Sequence, residues 1–155
     1  MKKLIFAFLC LSLALGCSKK DETIFLLPEG YTGYVVIIYG QTDGKEKKYE
    51  GSKRIYEIPS SGILKTKFSI DYGISNFPKF YYEDKTSKEL AYYHEFNEIP
   101  EGKIVSFGGT TGKANIDLEG KYFISFTEHY VGTKEEIKLA VEKANAIDYL
   151  KLVGN

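Results

Sequence analysis

The chain has 155 residues, and its 21 lysine and arginine side chains balance 21 aspartate and glutamate side chains. This length corresponds to one domain, and the lack of net positive charge excludes the broad basic surface that nucleic-acid binding requires. Tyrosine and phenylalanine are abundant, with 13 and 10 residues, whereas tryptophan is absent. Because aromatic side chains favour strands, this composition favours a mainly β domain.

The first residues have the form of a secretory signal. Lys2 and Lys3 precede an uncharged run over residues 4–16. That run is too short to cross a membrane as a helix, but its length is typical of a signal peptide. We therefore expect residues 1–16 to be removed. Cys10 would be lost with them, so the domain would contain no thiol for a disulfide or a zinc site.

The uncharged run ends in Leu13-Ala14-Leu15-Gly16-Cys17, which resembles the lipobox of bacterial lipoproteins. In that family the signal is cut immediately before the cysteine, whose sulfur carries a lipid. The resemblance implies that Cys17 is a membrane anchor, held with about 0.8 kcal/mol for each buried CH₂ group. The alternative is an ordinary secretory signal in which the cysteine is incidental.

The charged residues that follow the cysteine carry a second resemblance. Lys20-Asp21-Glu22 resembles the surface-export signal of Bacteroidota lipoproteins, in which a lysine and two acidic residues follow the lipidated cysteine. The resemblance implies a bacterial envelope protein, anchored in the outer membrane and exposed at the cell surface. The alternative is a simple solvated tether that leaves the domain facing the periplasm. We assign residues 17–23 to the lipidated cysteine and tether, and residues 24–155 to a single domain.

Apolar runs between glycine and proline turns predict a series of strands. Residues 34–39, Tyr-Val-Val-Ile-Ile-Tyr, have the pattern of a strand buried on both faces. Residues 63–70 alternate between apolar and polar side chains, as in a half-exposed strand. Asp43-Gly44 is a hairpin signal, and the glycine-rich residues 108–113 are predicted to be a connector. Further strands are predicted at residues 23–27, 53–58, 104–107 and 121–130.

The end of the chain predicts one helix. Thr133-Lys134-Glu135-Glu136 has the form of a capping box, and Gly154 suits a helix stop. The polar face mixes both charges, which argues against a helix lying on a membrane. We therefore expect the helix to pack on the sheet through the residues that recur at helical spacing, which are Ile137, Ala140, Val141, Ala144 and Ile147.

Three segments share a pattern with a known family. They are PEGYTGYVVII at residues 28–38, YEIPSSGIL at residues 56–64 and VGT at residues 131–133. Together they resemble a family of bacterial lipoproteins and secreted proteins built on one domain of unknown function. The resemblance implies a β-sandwich, similar to small transthyretin-like sandwiches, with one C-terminal α-helix packed on the sheet. It implies no active site.

Signatures of catalysis are weak. The glycine-rich residues 108–113 lack both the first glycine of a phosphate loop and the hydroxyl residue that follows its lysine. Nucleophile motifs of the Gly-x-Ser-x-Gly and Ser-x-x-Lys types are absent. His94-Glu95 and Glu128-His129 could converge on a metal, but Glu98 stands where a His-Glu-x-x-His motif needs its second histidine. We predict no catalytic residue, no cofactor and no bound metal.

Two tyrosine pairs are the candidate ligand-binding residues. Residues 77–93 are predicted to form a hairpin with its turn at residues 85–88, and Tyr81-Tyr82 and Tyr92-Tyr93 flank that turn. The hairpin would pair Tyr82 with Tyr92 and Tyr81 with Tyr93. The pleat would then place the two pairs on opposite faces. An exposed pair could stack on a sugar ring or anchor a protein partner. The alternative is plain cross-strand packing.

These observations predict a membrane-anchored extracytoplasmic lipoprotein that acts in binding or in envelope structure without catalysis. Its expected partners are the membrane, through Cys17, and a glycan or a protein. One alternative is an inhibitor of an extracellular hydrolase, such as a protease or lysozyme, which a long rigid loop would favour. A less favoured alternative is a hydrolytic enzyme, which a cleft holding convergent carboxylates or both histidines would favour.

Overall fold

The computed structural model describes residues 22–72, 77–83, 86–115 and 119–153. A 3-10 turn at Phe96–Glu98 and two helices, α1 at Lys134–Asn145 and α2 at Tyr149–Val153, accompany a set of strands. The strands are β1 Glu22–Leu27, β2 Gly33–Ile38, β3 Lys48–Glu50, β4 Lys53–Glu57, β5 Ile63–Lys65, β6 Lys79–Tyr82, β7 Tyr92–Tyr93, β8 Val105–Asn115 and β9 Phe123–Gly132.

The strands form two sheets. The first sheet has the order β3-β4-β1-β6 and the second has the order β5-β2-β9-β8-β7. In the first sheet β1 lies parallel to both β4 and β6, and in the second β9 lies antiparallel to both β2 and β8. The predicted β-sandwich with a C-terminal helix is therefore confirmed. Its core contains residues from both sheets, including Phe25, Leu27, Tyr56, Phe80, Val35, Ile37 and Val131.

Strand β2 is buried on both faces, as its unbroken apolar run predicts. Val35 and Ile37 face the first sheet, whereas Val36 and Ile38 pack on the other side with Ile124 and residues of α2. All four are 0% exposed. The second sheet is therefore the middle of three layers, between the first sheet and the helices.

Helix α1 begins where the capping box predicts. The Thr133 hydroxyl accepts from the Glu136 backbone N–H, and the Glu136 carboxylate accepts from the Thr133 N–H at 2.8 Å. The same carboxylate accepts from the Thr32 hydroxyl at 3.2 Å, which ties the helix to the chain before β2. Ile137, Ala140 and Ala144 are buried, so the expected packing of the helix on the sheet is confirmed.

The predicted single helix is divided into two, and Ile147, the last residue of the predicted stripe, lies between α1 and the short helix α2. The Asp148 carboxylate accepts from the backbone N–H groups of Leu150 and Lys151 at 3.1 and 3.3 Å, as a helix-starting residue does. The chain therefore ends α1 at Asn145 and restarts as α2. The predicted stop at Gly154 lies outside the described residues.

Two local interpretations of the sequence are wrong. Asp43-Gly44 does not join a hairpin of β2 with β4, because these strands lie in different sheets; β4 forms its hairpin with β3, around Gly51. Residues 108–113 are not a connector, because β8 runs through them as a strand. A β-bulge between Gly108 and Thr110, at glycines with positive φ, lets the strand continue.

The predicted hairpin over residues 77–93 is also wrong. Strand β6 pairs in parallel with β1, and β7 pairs in parallel with β8 in the other sheet. An isolated bridge between Phe80 and Leu90 joins the two segments. Tyr82 therefore lies beside Leu27, not opposite Tyr92. Alternation within a segment shows that it is a strand, but it does not show which strand it will pair with.

The domain begins two residues earlier than its sequence pattern predicts. Glu22 is already in β1, and its carboxylate forms ion pairs with Lys53 at 3.1 Å and Lys79 at 2.7 Å, one on each neighbouring strand. The hydrogen bond from Lys79, with that from Lys53, holds the pKa of Glu22 below its usual range. The predicted signal peptide, Cys17 and the tether up to residue 21 lie outside the described residues. Within the described ranges, no helix has the length and apolar character needed to cross a membrane.

Candidate functional site

A pocket of about 410 Å³ opens between the sheets near the end of the sandwich where β1 and β4 begin and β2 ends. We call it the end pocket. Other surface depressions have similar volumes. The end pocket differs from them in having a buried imidazole in its wall. Its aromatic lining consists of Tyr39, Tyr56, Tyr72, Phe77, Tyr92, His94 and His129.

The β-bulge in β8 shapes one wall of the end pocket. Gly108 and Gly109 have φ values of 100° and 117°, and the Tyr92 hydroxyl donates to the Gly108 carbonyl. A Cβ atom at Gly109 would lie 2.7 Å from the Tyr92 hydroxyl oxygen and 3.8 Å from Nδ1 of His129. A side chain at position 109 would therefore collide with the Tyr92 hydroxyl and cover Nδ1 of His129, which is itself closed to solvent.

His129 is the buried imidazole of this wall. It is 6% exposed, and its ring centroid lies 5.2 Å from that of Phe25 and 5.5 Å from that of Phe80. Burial lowers the pKa of His129 to about 4, so the ring is neutral at pH 7. Its Nδ1 atom is buried and has no hydrogen-bond partner among the described residues. An unpaired buried polar atom costs about 1–3 kcal/mol, which a ligand that hydrogen-bonds to Nδ1 would recover.

A stack of rings leads from the surface to this histidine. Phe77 is 61% exposed and stacks on Tyr92, with centroids 5.6 Å apart and an interplanar angle of 14°. Tyr92 in turn stacks on the buried Phe80 at 6.2 Å and 15°. The His94 ring contacts the Phe77 ring, with centroids 4.1 Å apart. The mouth of the pocket is therefore lined by aromatic rings.

Comparison with known proteins identifies the family of this chain. Residues 19–140 match the model of a family described as "Family of unknown function (DUF6843)". The chain belongs to this family. The resemblance to proteins built on one domain of unknown function is thereby confirmed.

Among solved structures, the DUF6843 chain is similar to a crystal structure of a candidate lipoprotein from Bacillus anthracis. The identity is 18% and the TM-score 0.48, over 73% of this chain and 71% of that chain. Among curated proteins, none matches the chain in sequence.

The four candidate tyrosines of the DUF6843 domain are dispersed and half-buried. Tyr92 lines the end pocket. The Tyr82 hydroxyl donates to the Tyr31 carbonyl at 3.0 Å, near the opposite end of the sandwich, and the Tyr81 hydroxyl donates to the Glu89 carboxylate at 2.8 Å. Tyr93 packs beside Ile99 and Val105 in the cluster under α1. The predicted pairing is wrong because β6 and β7 belong to different sheets, and a ligand-binding role for each residue stays a prediction.

The two histidines meet at the end pocket, but their neighbouring carboxylates do not. The ring of Tyr92 lies 4.9 Å from His94 and 6.3 Å from His129. The Glu128 carboxylate instead accepts from the hydroxyls of Tyr130 and Tyr149, at 3.1 and 2.6 Å. Across the part of the chain that the structure describes, no group of three or more histidine, cysteine, aspartate and glutamate side chains is placed to hold a metal.

Several pocket residues were not found from the sequence. Thr23 and Arg54 become neighbours through the parallel pairing of β1 with β4, which leaves no turn motif between them. The Gly108-Gly109 pair did carry a signal, because glycines inside a strand often mark a bulge or a close approach by a ligand. Its position directly after the strand predicted at residues 104–107 favours a turn instead.

Proposed function

We propose that this DUF6843 protein is a lipid-anchored, non-catalytic binding protein of the bacterial cell envelope. Its ligand is a small ring compound that carries hydroxyl groups, such as a sugar residue of a glycan, and its binding site is the end pocket. The observation that carries this proposal is the unpaired Nδ1 of His129, which is closed to solvent and lies behind Gly109 in the pocket wall, so that a ligand would reach it by a small shift of that wall.

The protonation state of His129 defines the ligand group that fits it. A neutral imidazole has one nitrogen that donates and one that accepts. Burial keeps His129 neutral at pH 7, because its pKa is lowered to about 4. A ligand hydroxyl can donate to Nδ1 or accept from it, so it satisfies either tautomer. A carboxylate ligand could serve only the tautomer protonated at Nδ1.

The remainder of the pocket suits a ring with an apolar face and a polar edge. The exposed ring of Phe77, which stacks on Tyr92, supplies apolar contact area. The other lining residues include Arg54, Asp71 and Thr111. Ligand pockets of roughly 300–1,000 Å³ are lined by apolar groups with a few polar ones. The end pocket, at about 410 Å³, fits this description.

A glycan array followed by titration tests the proposal. Glycans retained by the wild-type protein would be titrated against His129→Phe, which keeps an aromatic ring but removes the nitrogen, and against Gly109→Ala, which fills the approach. We expect each variant to weaken binding about tenfold or more, because one buried hydrogen bond is lost. Gly102→Ala is the matched control, since Gly102 also has positive φ but faces open space.

The possible outcomes separate binding in the pocket from binding elsewhere. Equal affinity for the wild type, His129→Phe and Gly109→Ala would show that the ligand binds at a surface other than the end pocket. If the array retains no glycan, the proposal that the ligand is a sugar is wrong. Circular dichroism of each variant shows whether a loss of binding reflects loss of the fold.

The anchor is proposed from the lipobox-like residues that end at Cys17. Metabolic labelling with a fatty acid should mark the wild-type protein and not Cys17→Ala. We further propose anchoring in the outer membrane with the domain at the cell surface, on the basis of Lys20-Asp21-Glu22. Protease added to intact cells should then degrade the domain. Protection in intact cells, with degradation after lysis, would indicate the periplasmic side.

A hydrolytic enzyme is the second candidate, because His94, His129 and Asp71 all line the same pocket. Incubation of the protein with each retained glycan, followed by mass spectrometry, distinguishes it from a binding protein. Release of a product that disappears in Asp71→Asn or His94→Ala would establish the enzyme. An unchanged glycan after prolonged incubation would support the binding protein.

A further inference from the structure

Exposed aromatic side chains gather at the end of the sandwich that holds the end pocket. Tyr72, Phe77 and Phe123 are 62%, 61% and 51% exposed. The Lys113 ammonium lies 4.3 Å from the Phe123 ring centroid and 5.7 Å from that of Tyr72. Tyr72 and Phe77 also line the end pocket, together with Thr23 of β1. We call Tyr72, Phe77, Lys113 and Phe123 the aromatic rim.

The aromatic rim lies at the end of the domain from which the chain leads back to Cys17. The sheet begins at Glu22, where the two ion pairs to neighbouring strands hold the start of β1. Cys17 precedes Glu22 by five residues. A chain of this length spans at most about 17 Å when fully extended. A lipid on Cys17 would therefore hold this end of the domain close to the membrane.

The composition of the aromatic rim suits that location. Tyrosine is enriched at membrane–water interfaces, where its ring is apolar and its hydroxyl is hydrated, and phenylalanine inserts at the headgroup–acyl boundary. A lysine can lay its apolar stem along such a surface and place its charge among the headgroups. The Tyr72 hydroxyl is fixed by the Ser125 hydroxyl at 2.9 Å, which orders this part of the rim.

From these observations we infer that the aromatic rim docks on the lipid leaflet that holds the lipid anchor. The inference rests on the proposed anchor at Cys17. The rings of Tyr72, Phe77 and Phe123 contact the headgroup region, and Lys113 lies among the phosphates. The end pocket then opens beside the membrane surface, and the end of the sandwich where α1 begins points away from it.

The absence of tryptophan allows single fluorescent reporters to test this orientation. Phe123→Trp places one tryptophan in the aromatic rim. Leu139→Trp places one on α1 beside Thr32 and Glu136, at the other end, and Leu139 is 55% exposed compared with 51% for Phe123. The lipidated full-chain proteins would be reconstituted into phosphatidylcholine vesicles, with and without bromine on the acyl chains. Bromine quenches tryptophan only at close contact.

We expect the emission of Phe123→Trp to fall several-fold in the brominated vesicles and to shift to shorter wavelength, while Leu139→Trp stays unchanged. In the Phe123→Trp background, Lys113→Glu should reduce the quenching when anionic lipid is included. Because these positions are exposed, the variants should keep the fold, and circular dichroism verifies it.

Three results would overturn the inference. Equal quenching of both reporters would show that the domain has no preferred orientation, and an unquenched Phe123→Trp protein that still floats with the vesicles would show an anchor without docking. A protein that carries no lipid and does not float would refute the anchor, and the docking with it. None of these results bears on glycan binding in the end pocket, which the array measures separately.

Discussion

The two ends of the sandwich differ at one buried polar atom, although paired polar groups occur at both. Where α1 begins, Thr32 and Thr133 both bond to Glu136, and the Tyr82 hydroxyl donates to the Tyr31 carbonyl. We call this the capped end. At the opposite, open end, Nδ1 of His129 has no partner among the described residues, and the ring of Phe77 is largely exposed.

This difference indicates where the fold is stabilised and where it is available for binding. Paired polar groups and a buried helix face contribute free energy to folding at the capped end. An unpaired buried nitrogen costs free energy at the open end, which folding alone does not explain. The variants below either remove the stabilisation of the capped end or measure the cost at the open end.

The largest effect is expected under α1. Ile137→Asp would place a carboxylate where the side chain is 0% exposed, so we expect the free energy of unfolding to fall by about 4 kcal/mol or more. Leu139→Asp, on the exposed side of the same helix, should change it by less than about 0.5 kcal/mol. Val141→Asp, at a half-buried position of the cluster, should lie between them. Urea denaturation gives all three values, and similar stabilities for Ile137→Asp and the wild type would mean that α1 is not part of the core.

The next effect is the pH dependence of the open end. The pKa of His129 is about 4 in the folded protein and near 6.5 in the unfolded chain. Between these values the unfolded chain binds the additional proton, so stability is retained above about pH 6.5 and lost as the pH falls toward 4. The loss from this group should be about 3 kcal/mol.

His129→Phe supplies the control for this pH dependence. The variant should lack this part of the acid destabilisation, whereas the contribution of the carboxylates remains in both proteins. Urea denaturation at several pH values between 4 and 7 measures the difference. Parallel pH profiles for the two proteins would contradict the buried neutral histidine.

A smaller effect is expected at the start of α1. Thr133→Ala removes the hydroxyl that accepts from the Glu136 N–H and should lower the free energy of unfolding by about 1 kcal/mol. Thr42→Ala, at an exposed position before β3, serves as the matched threonine control. Thermal unfolding followed by circular dichroism compares them. An equal decrease in melting temperature for both variants would show that the Thr133 cap does not stabilise the fold more than an exposed threonine does.

The smallest effect distinguishes the tyrosines. Tyr82→Phe removes the bond to the Tyr31 carbonyl and should cost about 0.5–1 kcal/mol, as for a typical part-buried hydrogen bond. Tyr81→Phe removes an exposed bond to Glu89 and should cost a few tenths of a kcal/mol at most. Chemical denaturation resolves the two. The reverse order would mean that the capped end gains nothing from the Tyr82 bond.

The sequence predicted those features whose causes are local. The capping box of Thr133 and Glu136 involves residues three positions apart, and the helical stripe repeats within each turn, so a short segment determines both. The burial of β2 on both faces follows from its own unbroken apolar run. The mainly β class follows from the aromatic content.

The end pocket depended on partners that no short segment specifies. Tyr81 and Tyr82 lie in one sheet, and Tyr92 and Tyr93 in the other, although the four residues occupy one short stretch of the chain. A parallel pair of strands has no tight turn between its members, so no turn motif records the pairing. Tyr92 and His129 come together beside the bulge at Gly109 only after both β7 and β9 have paired with β8. The sequence by itself therefore determined the helix cap, the buried strand and the β class, and the tertiary structure decided the pocket, because strand pairing joins segments whose local patterns do not identify each other.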